Sequence, residues 1–167
     1  MGTPPDVALA FLLGAVPVSI WAGYVDLSRM KIPNKAVLAL LAIFVLGGLL
    51  LLPLGSWTFA DWAWRLLHLV VVLLIGMGLN AIYLMGAGDA KFAAAAAPFI
   101  AFADLGTFAV IFLLSLLSGW LVHRLFKWTI GPRLAPDWVS WTSGKRFPMG
   151  VGLGLSLVAY LALAALG

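Results

Sequence analysis

Six carboxylates, all of them Asp, and two His are the groups with which this 167-residue chain could do chemistry, for it holds no Cys. The missing cysteine removes disulfides, thiolate nucleophiles and cysteine zinc sites together. His68, His123 and the scattered Asp supply no converging ligand set, so no metal is expected. What remains is carboxylate chemistry. Asp89 stands in "YLMGAGDAKFAAAAAPF", residues 83–99, set off by Gly86 and Gly88 and followed by Lys91; Asp26 opens "DLSRMKIPNK", residues 26–35. Two carboxyls brought together in a site of low dielectric cannot both ionise, so they hold one proton between them. Such a pair can split a peptide with water: the ionised Asp takes a proton from the water, and the protonated one donates to the scissile carbonyl or leaving amine. Glycines at 86 and 88 let backbone come close to an extended peptide strand.

Each of these residues has a plainer reading. Asp89 can be the N-cap of the alanine-rich helix that follows it, the glycines only making the turn. Asp26 can pair with Arg29 at i,i+3 in a solvated loop. Asn34 reads as a cap for the next helix and Pro33 as a helix-free spacer. Lys91 reads as an anchor that reaches the membrane surface. Both His read as packing or interface residues, and Asp6, Asp61 and Asp104 as solvated.

The elements that must bring the two Asp together are membrane helices. With 64% hydrophobic and 10% charged residues and a mean hydropathy of +1.12, the chain is expected to be one integral membrane domain, residues 1–167. No basic stretch precedes the first apolar run, which is therefore expected to stay as a span. A pI near 9.8 is ascribed to basic loops beside lipid and not to nucleic acid. Apolar runs long enough to cross cover 7–25, 36–54, 66–85, 105–122 and 147–166; a shorter run, 92–103, contains Pro98 and by length alone could be re-entrant or buried. Charge favours six crossings with the N-terminus outside. Arg29, Lys31, Lys35, Lys91, Arg124, Lys127, Arg133, Lys145 and Arg146, nine of ten basic residues, then face the cytoplasm and only Arg65 lies outside. Trp57, Trp62 and Trp64 in the outer loop and Trp128, Trp138 and Trp141 in the inner one read as interface anchors. The fold class is all-α, a six-helix polytopic bundle, with Asp26 and Asp89 both at the cytoplasmic boundary.

These residues resemble a family. Asp26-Leu-Ser-Arg29-Met-Lys31-Ile32-Pro33-Asn34 is similar to the segment D-x-x-R-x-x-I-P-N that carries the first catalytic aspartate of type IV prepilin peptidases. Gly86-Ala-Gly88-Asp89-Ala-Lys91 resembles that family's second motif, G-x-G-D-x-K. "RFPMGVGLGLS" is similar to the stretch that opens its last helix, with Met149 where Tyr is usual. The resemblance runs through nearly the whole chain in order. It implies an intramembrane aspartic protease that removes the basic leader of prepilins, with Asp26 and Asp89 catalytic and Gly86, Gly88, Lys91, Arg29, Pro33 and Asn34 near the substrate. Larger members carry a cysteine-paired zinc domain that methylates the product; this chain resembles the short, peptidase-only form of Flp-type tight-adherence pili, so S-adenosylmethionine and other cofactors are not expected. The implied partners are prepilins, the lipid bilayer and the pilus-assembly machinery, and the implied location is the inner (cytoplasmic) membrane. Presenilin-type proteases share the paired-aspartate logic but are longer and carry a Tyr-Asp pair, whereas here Val25 separates Tyr24 from Asp26. A small transporter, or a non-catalytic assembly subunit whose aspartates bind a proton or cation, is the reading from another class.

Overall fold

The computed structural model describes residues 1–144 and 146–167. Lys145, counted above among the inner basic residues, lies outside the described residues. Every regular segment among them is helical, and the main helices are α1 (Pro5–Arg29), α2 (Asn34–Leu54, with a π-helical turn at Ile43–Gly47), α3 (Phe59–Ala81), α4 (Ala87–Ala96), α5 (Leu105–Trp128) and α6 (Met149–Leu166). Five of these, all but α4, are long and apolar enough to cross a membrane.

Local chemistry accounts for the boundaries. The first helix runs past residue 25 because Asp26 continues its buried stripe, one turn after Ala22 and in phase with Phe11, Ala15 and Val18. It ends at Met30, which turns left-handed (φ 53°) and returns its N–H to the Asp26 carbonyl. The third helix starts at Phe59, earlier than the expected 66, because Thr58 and Asp61 form a capping box in which each side chain accepts from the other's backbone N–H.

Packing sets the order of neighbours. The first helix lies along α6, α6 also packs on α5, and α4 lies against α3, α2 and α6. The α1–α6 contact is built from small residues: Gly154 meets Ser19, and Gly23 meets Val151, so the two backbones come close. A second centre is aromatic. Phe11, Phe44 and Phe99 lie 5.0–5.5 Å apart by ring centroid and Trp57 closes the group at 5.8 Å from Phe11. Trp57 is 2% exposed and gives its indole N–H to the Gly48 carbonyl, so it belongs to the core and is not an interface anchor.

The short segment expected at 92–103 is longer and more broken than its sequence suggests. Ten helical residues rise only about 15 Å, half of a hydrocarbon layer of about 30 Å. The chain goes on through a 3-10 turn at Ala97–Phe99, which accommodates Pro98, an extended step at Ile100 and Ala101, and a second 3-10 turn at Phe102–Asp104. Non-helical backbone inside an apolar bundle must be satisfied by protein groups. Arg65 donates to the Phe99 carbonyl at 3.0 Å, His68 Nδ1 meets the Ile100 carbonyl at 3.1 Å, and the Ala101 N–H donates to the Tyr160 hydroxyl at 3.0 Å.

Two expectations are corrected here. Asp104 is not solvated: it is 8% exposed and accepts from the Tyr160 hydroxyl at 2.7 Å and the Gly2 N–H at 2.9 Å. Arg65 is not a stray outer charge but a buried tie, donating also to the Gly2 carbonyl and the Thr3 hydroxyl and lying 4.9 Å from the Trp57 ring. Burial is affordable for these groups because each has several partners. Arg65→Leu leaves buried carbonyls unpaired, and thermal unfolding in detergent is expected to register a loss of about 2–4 kcal/mol; an unchanged melting curve would contradict this role.

Candidate active site

The end of the bundle opposite Arg65 holds the two aspartates. Asp26 sits in the last turn of α1, only 4% exposed, and its Oδ2 accepts the Gly150 N–H at 2.7 Å. Gly150 is the second residue of α6, whose first N–H groups have no helical partner and carry the positive end of the helix dipole. A carboxylate from one helix thus completes the start of another. Glycine gives the contact room: a Cβ at 150 would stand 3.0 Å from Asp26 Oδ2 and 3.0 Å from the end of Ile32, and both would have to shift. Asp26 is therefore a buried group aimed into the bundle, and the solvated pairing with Arg29 considered from sequence is replaced by the Gly150 contact.

Asp89 enters from α4. The N-cap of that helix is Gly86, with φ −67° and ψ 143°, so Asp89 is its third residue and not its cap. Its carboxyl reaches back toward the Gly86 amide, the carboxylate half of a capping box. A Cβ at 86 would lie 2.6 Å from Asp89 Oδ2. Glycine is needed there to make room for the carboxyl and not for an unusual φ. Asp89 is half-buried and feels the Asp26 charge directly. The geometry brings two carboxyls, far apart in sequence, to one end of an apolar bundle, where Ile32 lies between Gly150, which meets Asp26, and Gly88, which precedes Asp89; two carboxyls in such surroundings are the groups acid and base chemistry needs.

The remaining predicted site residues fall around this pair. Ile32 is buried and its backbone lies against Gly88, whose Cβ would sit 3.4 Å from the Ile32 nitrogen. The loop after α1 thus packs on the G-x-G turn and joins the two motifs. Pro33, half-buried, is the N-cap of α2, and Asn34 is its first helical residue; the capping role expected for Asn34 is not taken, because its side chain makes no cap bond and instead meets Lys91 Nζ at 3.5 Å. Lys91, Arg29, Asn34 and Gly86 are exposed on this end. The turn before Gly86 is held by Asn80, whose amide donates to the Met85 carbonyl at 2.8 Å, and Tyr83 in it is left-handed (φ 60°) and 97% exposed. Sequence reading named the Gly150 stretch only by resemblance; the signal for its role is a Pro-x-Gly helix start, which frees N–H groups for an acceptor. No group of three or more His, Asp, Glu or Cys that could hold a metal occurs among the described residues.

Removing the Asp26 carboxyl without replacing its acceptor frees the Gly150 amide. Hydrogen–deuterium exchange over residues 147–151 is expected to speed at least ten-fold in Asp26→Ala and to change little in Asp26→Asn, which keeps an acceptor oxygen. Equal exchange in both variants would show that the bond does not hold α6.

Comparison with curated proteins and with solved structures returned no match. The family comparison did. Residues 6–123, from the first turn of α1 to near the end of α5 and including both aspartates, match the type IV leader peptidase family, and the chain belongs to that family.

Proposed function

We propose that the chain is an aspartic endopeptidase that removes the leader of Flp-type prepilins at the cytoplasmic face of the inner membrane. The observation that carries this reading is the placement of Asp26 and Asp89 at the same end of the bundle, each with its own glycine leaving room for the carboxyl. In the proposed reaction one ionised Asp takes a proton from a water molecule, whose oxygen bonds to the scissile carbonyl carbon. The protonated Asp gives its proton to the leaving nitrogen as the C–N bond breaks, so the pair ends with one proton as it began. The proton belongs to the pair and not to one residue.

The membrane arrangement follows from the same end. Six crossings with the N-terminus outside put Arg29, Lys31, Lys35 and Lys91 beside the aspartates on the cytoplasmic side. The segment from α4 through Phe102–Asp104 supports a sixth crossing, since it runs from the Asp89 end to the Arg65 and Tyr160 end. Substrate contacts are assigned to Gly86, Gly88, Arg29, Pro33, Asn34 and Lys91. A chain without cysteine has no thiolate zinc site, which favours a peptidase-only protein of one domain without methyltransferase activity. Pilus-assembly proteins are its proposed neighbours in the membrane.

The direct test is cleavage of a purified Flp-type prepilin in detergent, read by the mass of the product. Wild type is expected to release the leader, and Asp26→Asn and Asp89→Asn to cut at least a thousand-fold more slowly while keeping their melting temperatures. Gly86→Ala, which crowds Asp89 Oδ2, is expected to lose ten-fold or more in kcat with little change in stability. Full cleavage by either Asn variant would rule out the paired-aspartate mechanism.

A further inference from the structure

Between α3 and α5 the bundle is open. The third helix packs on α4 and the fifth on α6, leaving a lateral cleft of about 570 Å3 between them. It runs nearly the height of the bundle, from Met85 beside the G-x-G-D turn to Phe102 at the far end. Its walls are apolar, with Val71 on α3 and Leu105 on α5 both 45% exposed. The two polar side chains that line it are already engaged, His68 with the Ile100 carbonyl and Ser156 with the Leu153 carbonyl.

The floor ties this cleft to the aspartates. Ala93 and Ala96 line it from α4, at i+4 and i+7 from Asp89, and so share that residue's helix face, and Ala97 continues the lining in the 3-10 turn that follows. Leu153 and Leu157 line it from α6, at i+3 and i+7 from Gly150, the residue that holds Asp26. Two helix faces therefore lead along the floor to both carboxyls. A floor of three alanines lets another helix backbone approach closely, which is how helices associate in lipid, whereas acyl chains need no such surface. A leader substrate continues beyond its cut as an apolar helix, and the cleft has the polarity and direction to seat one face of it.

We infer that the cleft between α3 and α5 receives the apolar transmembrane helix of the substrate, with the bond to be cut emerging at the Met85 end toward Asp89 and Asp26. The inference rests on the peptidase reading above and adds where the substrate enters: sideways from the bilayer, between two helices that do not close on each other.

Because the chain lacks cysteine, single cysteines can test it. Val71→Cys and Leu105→Cys are oxidised against a prepilin carrying one cysteine stepped along its apolar segment, with Met77→Cys, exposed on another face of α3, as the reference. The expected result is disulfides from both walls at substrate positions recurring every three or four residues, and none from Met77→Cys. In parallel, Ala93→Leu, which fills the floor, is expected to raise KM at least ten-fold with kcat changed less than two-fold. If wild type cleaves but the walls trap no more substrate than Met77→Cys, the cleft holds lipid acyl chains and the inference is wrong, while the peptidase reading stands. If wild type cleaves no prepilin, the peptidase reading fails and the inference falls with it. Should Ala93→Leu not fold, the cysteine pairs alone decide.

Discussion

A carboxyl group placed among membrane helices has few partners that do not themselves cost free energy to bury, and the start of another helix is one of them. The Gly150 N–H given to Asp26 is the contact on which the rest of this structure depends. It is given room by glycine at 150, and it depends on Pro148 as the N-cap of α6 and on an α1 that stays helical to Arg29 so that Asp26 faces inward. Small residues along the same two helices, Ser19 with Gly154 and Gly23 with Val151, then hold α1 and α6 close enough for the bond to form. The loop that follows α1 has nowhere to go but across the G-x-G turn, where Ile32 meets Gly88 and brings the second aspartate to the first.

The far end solves the opposite problem. There the chain breaks its helix at Ala97–Ala101, and the break would strand backbone groups in an apolar interior. Arg65, His68 and Tyr160 take those groups, and Asp104 takes Tyr160 and the Gly2 N–H in turn. The broken segment allows α4 to be short, and a short α4 puts Asp89 at a helix start beside Asp26. The polar cluster at one end and the paired aspartates at the other are thus two consequences of one interrupted helix. Between them the packing is mostly apolar, centred on Phe11, Phe44 and Phe99.

Much of the architecture was legible in the residues themselves. Long apolar runs announce membrane helices whatever their neighbours, because lipid demands that each run satisfy its own backbone. The motif glycines and aspartates could be named for the same reason that they could be doubted: a polar residue in so apolar a chain has either a cap to make or a reaction to perform. Errors arose where a polar residue has a third option, burial against another element. Asp104 looked solvated, Arg65 looked like an outer loop charge, and Trp57 looked interfacial, since each is polar or amphipathic and near a loop; no local pattern tells that Tyr160, Phe99 and Gly48 wait beside them. Asn34 looked like a cap, yet Pro33 before it takes the N-cap position and turns Asn34 toward Lys91.

By itself, then, the sequence determined the all-helical membrane class, the absence of thiol chemistry, and which two aspartates lie in the glycine-flanked and Asp-to-Asn34 motifs, since composition and hydrophobic period act over short stretches of chain. Only the tertiary structure decided that Asp26 is held by the amide of Gly150, that Gly86 is there to leave room for Asp89, and that α3 and α5 stand apart over an alanine floor. Those facts depend on which helices touch, and helix partners are chosen by the fit of whole surfaces that no single segment encodes.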